Sequence, residues 1–433
     1  MFRMPEKITF ALPEQIGNTD LFVGRKREFD YFLGDWYDYL QKNFAMSQAL
    51  LARRKKGKTA FLQRLYNIFW SQPEGNVVPF YFSLPEMKTS LADFSKSFFT
   101  AFANQFVAFV ERKKERVANP PGFDDLEGIL SPYPSLKSKF SSLLAYEKTG
   151  NWGLMWETAS SAPSQLAVSQ DVKIVQIFDE FQNIDAYVYD YRGQLIDSVS
   201  GSYLTLAEKR QAPLIVSGSE VHGLIRIIRR LTDRFIESTL ENLPEDEARE
   251  AISVYADFSG TRIDETAVQR IWNLTQGDPL YIKALFVSRF NSSKDYTIED
   301  NIISTYEQET TRGEIFKTWM EYIAKVFYEV NQVNAKRIML YLFQTGEKCR
   351  LQQIRDALKL DMSDVQLETK LRQLVAADLV NQPVPSSWYQ VSSDKTYELV
   401  FRNAFQQDID HFVPDIRAEI KREMGRTSRS LQM

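Results

Sequence analysis

Short apolar runs alternate with helical patterns along the first half of the chain. A continuous apolar run such as 173–179 is typical of a strand that is buried on both faces of a parallel sheet. Apolar residues spaced three and four positions apart predict helices over 22–44, 60–70 and 195–209. Strands that alternate with helices indicate an α/β fold with right-handed crossovers. The predicted strands are 48–51, 76–84, 173–179, 213–217 and 235–240.

The remaining patterns are mainly helical. A helical layer is predicted as an insertion at about 85–170, between the second and third strands. Three short helices after Ala335 precede a predicted hairpin of Leu379-Val380 and Tyr397–Val400, an order typical of a winged helix. Helices are also predicted at 245–258, 265–275 and 279–290, followed by a helical stretch that reaches Val333.

These patterns predict five segments, of which the second is the α/β core. The predicted segments are a lead-in at 1–20, an α/β core at 21–244, a helical segment at 245–333, a winged-helix domain at 334–405 and a basic tail at 406–433, expected to fray from 414.

Composition narrows the functional class. The chain has 433 residues, too many for one ordinary core, and its net charge of −4 gives no overall attraction to nucleic acid or an anionic membrane. One cysteine, Cys349, and two histidines, His222 and His411, exclude an intrachain disulfide and a cysteine or histidine metal cluster. No signal peptide and no run long enough for a membrane span are recognised, so we expect a cytoplasmic protein without membrane contact.

The segment 52–59 has the layout of a phosphate-binding loop, because a short strand leads through a basic loop to Gly57-Lys58-Thr59 and a helix. Gly57 would let the backbone approach phosphate oxygens, Lys58 would reach the outer phosphates, and the Thr59 hydroxyl would bind Mg²⁺. The first glycine of the motif is replaced by Ala52, and a solvated cationic turn is the alternative interpretation. The predicted nucleotide contacts here are Arg54, Lys55, Lys56, Gly57, Lys58, Thr59 and Ala60.

Two carboxylates, Asp179 and Glu180, end the third predicted strand. The carboxyl end of a parallel strand is where ligands bind in open α/β sheets. Asp179 would hold Mg²⁺ and Glu180 would orient and deprotonate an attacking water. An acidic strand-to-loop junction is the alternative, but the combination with Gly57-Lys58-Thr59 favours a nucleotide site.

Further candidates follow the fourth strand. The Ser217 hydroxyl could face the terminal phosphate, although a plain Ser/Gly turn is an equal alternative. Arg234, and second Arg230, could reach the nucleotide of a neighbouring subunit as catalytic arginines. The other arginines of this stretch, Arg226 and Arg229, could simply line a solvated helix.

Taken together, these residues resemble the ring-forming ATPases of the AAA+ class, and more narrowly its STAND-type and archaeal-type branch. The resemblance covers about residues 20–400 and implies a five-stranded P-loop sheet, a helical lid and a winged helix. It also implies ATP with Mg²⁺ at the boundary of sheet and lid, with adenine near Val23, Gly24, Gly277 and Pro279. The matching segments are Phe22-Val23-Gly24-Arg25 with Glu28, 53–59, Ile177–Gln182, Ser217-Gly218-Ser219 and Gly277–Tyr281.

The predicted function is an ATP-binding, Mg²⁺-dependent and slowly hydrolysing switch whose nucleotide state controls domain arrangement and homo-oligomer assembly. Ala52 in the loop and Gly-x-Pro in the lid, where many motor-type members have Gly-x-Arg, favour a switch over a fast motor. One alternative is a DNA-binding ATPase that regulates a mobile element or a defence system. A second is a scaffold that does not hydrolyse nucleotide.

The DNA-binding alternative depends on residues 335–400, which could also bind a protein partner. The third helix there is expected to expose Gln366, Lys370, Arg372 and Gln373. Positive and negative residues nearly balance in this region, so a structural role is favoured over DNA recognition.

Overall fold

The chain divides into two compact units, Met1–Thr19 with Arg25–Glu241, and Asp20–Gly24 with Asn242–Met433. Within the described residues, no helix is both long and apolar enough to cross a membrane. The computed structural model describes residues 5–53, 55–72, 76–231, 234–329, 332–377, 379–382 and 387–425, apart from the side chains of Lys325, Tyr328, Glu329 and Gln332.

The first unit is an α/β layered structure. Short 3₁₀ turns add to it at Phe181–Asp185 and Val199–Ser202. Its elements are α1 (Lys26–Leu33), α2 (Asp35–Gln41), β1 (Ser47–Leu51), α3 (Lys58–Trp70), β2 (Val77–Ser83), β3 (Thr89–Ser90), α4 (Leu91–Glu111), α5 (Glu115–Ala118), α6 (Leu126–Ile129), α7 (Pro134–Thr149), α8 (Trp152–Ser169), β4 (Lys173–Asp179), β5 (Val188–Tyr189), α9 (Tyr203–Leu206), β6 (Leu214–Gly218), α10 (Val221–Arg230) and β7 (Phe235–Thr239).

Five strands form a parallel sheet in the order β2-β4-β6-β1-β7. Every residue of β1, β4 and β6 is buried, as the continuous apolar runs predicted. The register pairs Leu51 with Gly218 and Ser83 with Asp179, so four strands end side by side at one edge of the sheet. The predicted α/β fold and its five strands are confirmed.

The edge strand β2 tolerates a proline for a simple geometric reason. The Tyr81 N–H points away from β4, because it donates to Gln105 Oε1 at 2.8 Å, and Gln105 Nε2 donates back to the Tyr81 carbonyl at 2.8 Å. Residues two apart in a strand direct their N–H groups to the same side. Pro79 therefore removes no hydrogen bond from the sheet. The Gln105 side chain, which comes from α4, takes the place of a further strand.

The helices α4 to α8 form the layer predicted between the second and third strands. Phe94, Phe98, Phe102 and Phe106 recur every four residues along α4 and line one face of it. The rings of Phe98 and Phe102 lie 5.3 and 5.2 Å from the ring of Phe80 on β2, so this face packs on the sheet.

Two predicted helices of the first unit are wrong. The stretch 22–44 contains two short helices, α1 and α2, separated at Gly34, where a side chain would collide with the Asp30 carbonyl. The stretch 195–209 holds only a 3₁₀ turn and the single-turn helix α9. Here the Asp185 carboxylate accepts hydrogen bonds from the Ser200 N–H and hydroxyl at 2.8 and 2.6 Å, which fixes a loop rather than a helix.

The second unit is mainly helical, with two apolar cores. Its three short strands form an antiparallel sheet in the order β8-β10-β9. Its elements are α11 (Glu245–Ser259), α12 (Glu265–Thr275), α13 (Pro279–Val287), α14 (Glu299–Thr311), α15 (Glu314–Glu329), α16 (Gln332–Thr345), β8 (Cys349–Arg350), α17 (Leu351–Leu358), α18 (Asp364–Ala376), β9 (Val380–Asn381), β10 (Trp388–Val391), α19 (Lys395–Asp410) and α20 (Ile416–Met424).

Three expectations for the second unit are wrong in detail. The helical stretch to Val333 breaks between α14 and α15, where the Glu309 carboxylate accepts from the Glu314 N–H at 2.7 Å. The segment Tyr397–Val400 lies in α19, and β10 supplies the second hairpin strand instead. The tail from 414 begins with an ordered helix, α20, which buries Ile416, Ile420 and Met424, while residues beyond 425 lie outside the described part.

Candidate functional site

The loop between β1 and α3 has the backbone that a phosphate-binding loop needs. Gly57 has a φ of 83°, in the left-handed region that favours glycine, and Lys55 has a φ of 65°. A side chain at position 57 would meet no atom within 4 Å, so the backbone angle rather than space requires the glycine. Ala52 is buried and is not among the described residues with positive φ, so alanine causes no backbone strain there.

Lys58 is the first residue of α3 and is 5% exposed. Its ammonium group donates to the Ala52 carbonyl at 2.9 Å and to the Arg53 carbonyl at 3.4 Å, so it lies across the mouth of the loop. Arg25 supports the loop from another side, because its guanidinium donates to the carbonyls of Lys56 at 2.7 Å and Glu241 at 2.6 Å. The sequence motif included Arg25 but did not predict this contact.

The other predicted loop contacts are distributed around the start of α3. Lys55 is exposed, Lys56 is half-buried, and Thr59 and Ala60 lie in the first turn of α3. That turn has N–H groups without partners inside the helix, which is the usual anion-binding arrangement. Arg54 lies outside the described residues.

Asp179, at the end of β4, is the centre of the site and is 2% exposed. Its Oδ2 accepts from the Thr59 hydroxyl at 2.5 Å and from the Tyr81 hydroxyl at 3.3 Å. Its Oδ1 accepts from the Ser217 hydroxyl and from the Glu180 N–H, the latter at 3.1 Å. The structure therefore brings Thr59, Asp179 and Ser217 together from α3, β4 and β6.

The oxygen atoms of this site fit Mg²⁺ as ligands. A hydroxyl beside a carboxylate offers the oxygen ligands that Mg²⁺ takes, usually with waters and substrate phosphates completing the octahedron. In the part of the chain that the structure describes, no group of three or more His, Cys, Asp or Glu side chains could hold a metal. The residues at this edge thus suit a metal held together with a phosphate, and not an all-protein metal centre.

Tyr81 was not predicted from the sequence as part of the site. Burial, and next the charge of Asp179, raise the pKa of its phenol well above the usual value, so the hydroxyl remains a donor to that carboxylate. Its side chain reaches Asp179 because β2 pairs with β4 along their whole length. That register is a long-range feature, and only a correct prediction of strand order could have indicated it.

Glu180 follows Asp179 in a left-handed backbone conformation, with a φ of 56°. Its Oε2 accepts from the Ser219 hydroxyl at 2.6 Å, the Ser219 N–H at 3.2 Å and the Gln182 amide at 2.6 Å. A side chain at Gly218 would displace the Gln182 amide, which donates to this carboxylate. Ser219 and Gln182 hold the carboxylate at the strand end, a role that sequence reasoning missed.

The two predicted arginines both have partners inside the first unit. Arg230 donates to the Asp197 carbonyl at 3.2 Å and lies 3.7 Å from Asp185, whose pKa is raised by burial. Arg234 lies 2.9 Å from the Glu208 carboxylate. A role for either arginine on a neighbouring subunit stays a prediction, and these contacts would have to break first.

The predicted adenine contacts, Val23, Gly24, Gly277 and Pro279, all belong to the second unit. Gly24 and Gly277 approach the same residue, because a side chain at either position would collide with Leu243. Pro279 is the first residue of α13, whose cap is the Asp278 carboxylate. Their contact with adenine stays a prediction.

No protein-family model matches the chain, and no curated protein sequence matches it. Among solved structures, it is similar to the Walker-type ATPase PABY2304 of Pyrococcus abyssi, with 14% identity, 91% of this chain and 98% of that chain covered, and a TM-score of 0.57. Weaker matches include the ORC2 protein of Aeropyrum pernix (12% identity, coverage of 93% and 99%, TM-score 0.47) and the RuvB Holliday junction branch migration motor of Thermotoga maritima (13%, 90% and 98%, 0.40). The conclusion rests on the first match: the chain has the α/β fold of a Walker-type P-loop ATPase.

Proposed function

We propose that this protein binds ATP with Mg²⁺ and hydrolyses it slowly, as a nucleotide-dependent switch. The observation that carries the proposal is the convergence of the Thr59 and Ser217 hydroxyls on the buried Asp179 carboxylate, beside a phosphate loop closed by Lys58. A lone Gly-Lys-Thr occurs by chance. Side chains from three elements that meet at the carboxyl edge of a parallel sheet are a much more specific arrangement.

Each residue has a role that follows from its position. The Lys58 ammonium, held by two loop carbonyls, would exchange them for phosphate oxygens, and the N–H groups at the start of α3 would bind the same phosphates. Thr59 would be a direct Mg²⁺ ligand, and Asp179 would hold the Thr59 hydroxyl and a metal-bound water. Bound Mg²⁺ would neutralise phosphate charge.

The proposed slow hydrolysis follows from the contacts of Glu180. A general base must face its water with a free oxygen. Glu180 Oε2 instead accepts three hydrogen bonds from Ser219 and Gln182, which fix the orientation of the carboxylate, so the side chain could turn its other oxygen towards a water only by giving up some of these bonds. This resting arrangement supports a protein that holds nucleotide longer than a motor does.

The switch itself would be a change in the arrangement of the two units and in self-assembly with nucleotide state. Arg234 or Arg230 would then act on the nucleotide of a neighbouring copy. We also assign the module of α16–α18 and β8–β10 as a winged helix with a structural role.

The DNA-binding alternative has less support from the charges of α18. Arg372 is 2.7 Å from Glu368, Asp364 is paired with Arg355, and Lys370 is half-buried, so much of the cationic surface is neutralised. Salt-dependent DNA binding that disappears in a Lys370→Glu/Arg372→Glu variant would favour that alternative.

The direct test is titration of the protein with a fluorescent ATP analogue in the presence of Mg²⁺. Lys58→Ala should weaken binding roughly 100-fold, about 3 kcal/mol, because a charge-assisted contact to phosphate is lost. Lys137→Ala, which removes an exposed lysine from α7, is the matched control and should bind normally. Equal affinity in wild type and Lys58→Ala, or no binding by wild type, contradicts the proposal.

The role of Glu180 is tested separately. Glu180→Gln should bind ATP with unchanged affinity and lose phosphate release, because the amide cannot accept a proton. Unchanged turnover would remove Glu180 from the reaction and leave the binding proposal intact.

A further inference from the structure

Tyr81 connects the proposed Mg²⁺ site to a part of the chain remote in sequence. Its hydroxyl donates to Asp179 Oδ2 at 3.3 Å, the oxygen that also accepts from Thr59. Tyr81, on β2, therefore shares its acceptor with Thr59, a residue in the first turn of the helix that follows the phosphate loop.

Residues 9–19, the N-terminal strap, lie along α3 and are held by polar side chains of that helix. Gln63, Asn67 and Ser71 are spaced four residues apart and share one face. They accept hydrogen bonds from backbone N–H groups of the strap: Gln15 to Gln63 Oε1 at 2.7 Å, Leu12 to Asn67 Oδ1 at 2.9 Å and Thr9 to Ser71 Oγ at 2.7 Å.

Two further contacts fix the strap on α3. Asn67 Nδ2 donates to the Leu12 carbonyl at 2.9 Å, so the amide forms two hydrogen bonds with the same strap residue. Arg64 and Glu14 form a paired contact, with N–O distances of 2.8 and 3.0 Å, and the Glu14 side chain is fully buried. The strap is therefore fixed along α3, whose first turn contains Thr59.

We propose that Tyr81 is a positioning residue for Mg²⁺, which holds Asp179 Oδ2 against the Thr59 hydroxyl, and that the N-terminal strap holds α3, the helix that carries Thr59, in place. This inference rests on the proposed function. A carboxylate with two donors on each oxygen is fixed about its terminal bond, and loss of one donor on Oδ2 leaves that oxygen with Thr59 alone. An Asp179 that rotates more freely holds the metal-bound water less well.

A buried tyrosine hydroxyl in this protein does not necessarily form a hydrogen bond with a carboxylate. Tyr66 lies on α3 in the same core and is fully buried, but within the described residues its hydroxyl has no hydrogen-bond partner. Tyr66 and Tyr81 therefore provide a matched pair, in which the same oxygen atom is removed with and without a contact to the carboxylate.

The experiment measures the affinity for a fluorescent ATP analogue at increasing concentrations of Mg²⁺. The Mg²⁺ midpoint is the concentration at which half of the total gain in affinity has been reached. Tyr81→Phe should raise this midpoint roughly fivefold, the effect of one lost hydrogen bond. Its affinity for the analogue in EDTA should equal that of wild type, because no phosphate contact is lost. Tyr66→Phe should leave both quantities unchanged.

The strap is tested with Gln63→Met, which keeps the length of the side chain and removes the amide. It should shift the Mg²⁺ midpoint in the same direction, by roughly twofold, since α3 loses the hydrogen bond that Gln63 accepts from the Gln15 N–H of the strap. This variant also tests the proposal if Tyr81→Phe proves too unstable to purify, and thermal unfolding of each variant identifies that case.

The outcomes distinguish failure of the role of Tyr81 from failure of the proposed ATP binding. If wild type binds the analogue but Tyr81→Phe has the wild-type Mg²⁺ midpoint, Tyr81 does not position Asp179 and only this inference fails. If the affinity in EDTA falls as much as the affinity in Mg²⁺, Tyr81 has a structural role and the inference fails as well. If wild type binds no nucleotide, the proposed function fails with it. A normal midpoint in Gln63→Met overturns the role of the strap.

Discussion

Each unit of the protein contains a tyrosine that donates its hydroxyl to an aspartate, but the two pairs have different surroundings. In the first unit, Tyr81 donates to Asp179 Oδ2 at 3.3 Å. In the second, Tyr281 donates to Asp394 Oδ2 at 2.8 Å. Both tyrosines are buried, and in both the neighbouring carboxylate raises the phenol pKa further.

Among the described residues, the partners of the second pair have structural roles. Asp394 caps α19 by accepting from the Tyr397 N–H at 3.1 Å, and the Tyr281 hydroxyl accepts from the Trp319 indole at 2.9 Å. These contacts tie α13, α15 and α19 together. Asp179 instead collects hydroxyls from α3 and β6 at the carboxyl edge of a sheet, beside a helix N-terminus. A buried tyrosine–aspartate pair therefore indicates a site only when donors from several elements and an anion-binding helix converge on it.

The largest difference between the pairs is expected when both aspartates are changed to asparagine. Asp179→Asn should lower Mg²⁺-dependent phosphate release by about 10–100-fold, because an amide holds a metal-bound water less well than a carboxylate. Asp394→Asn should leave turnover unchanged and cost about 1–2 kcal/mol in the free energy of unfolding, because asparagine keeps the helix cap but puts an amide N–H where Oδ2 accepts from Tyr281. Equal losses of turnover in the two variants would erase the distinction.

A smaller effect is expected on stability when each tyrosine is changed to phenylalanine. Here the variant of the second unit should lose more than the variant of the first. Tyr281→Phe leaves the Trp319 indole without its acceptor and Asp394 with one donor fewer, so it should cost about 1–3 kcal/mol in urea unfolding. Tyr81→Phe should cost less, because Asp179 keeps three donors. Measurement of the Mg²⁺ midpoint in Tyr281→Phe completes the test; a shift there would show that the second pair also influences the site.

The smallest effect concerns alkaline pH, which should weaken both pairs. Burial raises the phenol pKa of Tyr81 and Tyr281 above the usual value of about 10. The folded state then keeps protons that the unfolded state releases, so the contribution of these two phenols to stability is fully present well below pH 10 and is lost as the pH rises through about 10. Each Phe variant should show a slightly shallower fall in urea midpoint between about pH 9 and 11. A steeper fall in either variant contradicts the assigned direction.

The fold was largely predictable because its strands are short, continuous apolar runs. The strand 173–179 was predicted to the residue, and Pro79 fits a strand because that strand lies at the edge of the sheet. The errors occurred where a specific contact overrides a local pattern. Gly34 separates two helices by close backbone approach, and Tyr397–Val400 is helical because Asp394 caps the helix that contains it.

The candidate site was predictable only in part, for a related physical reason. Asp179 and Ser217 each end a predicted strand, and Thr59 opens the helix after the phosphate loop that follows another, so sheet topology and the loop motif together predict that they meet. Tyr81 reaches the site through the pairing of β2 with β4, and the Glu180 side chain binds Ser219 from a left-handed backbone conformation. Neither register nor backbone angle leaves a signal in the local sequence.

The amide of Gln105 has a consequence for association between copies of the protein. An exposed edge strand offers unpaired N–H and C=O groups to which a second sheet can add, and this is a common start of aggregation. On β2 the Gln105 amide uses both backbone groups of Tyr81, and Pro79 offers no N–H two residues away. This side of the sheet is therefore protected against strand addition without any charged residue in the strand itself.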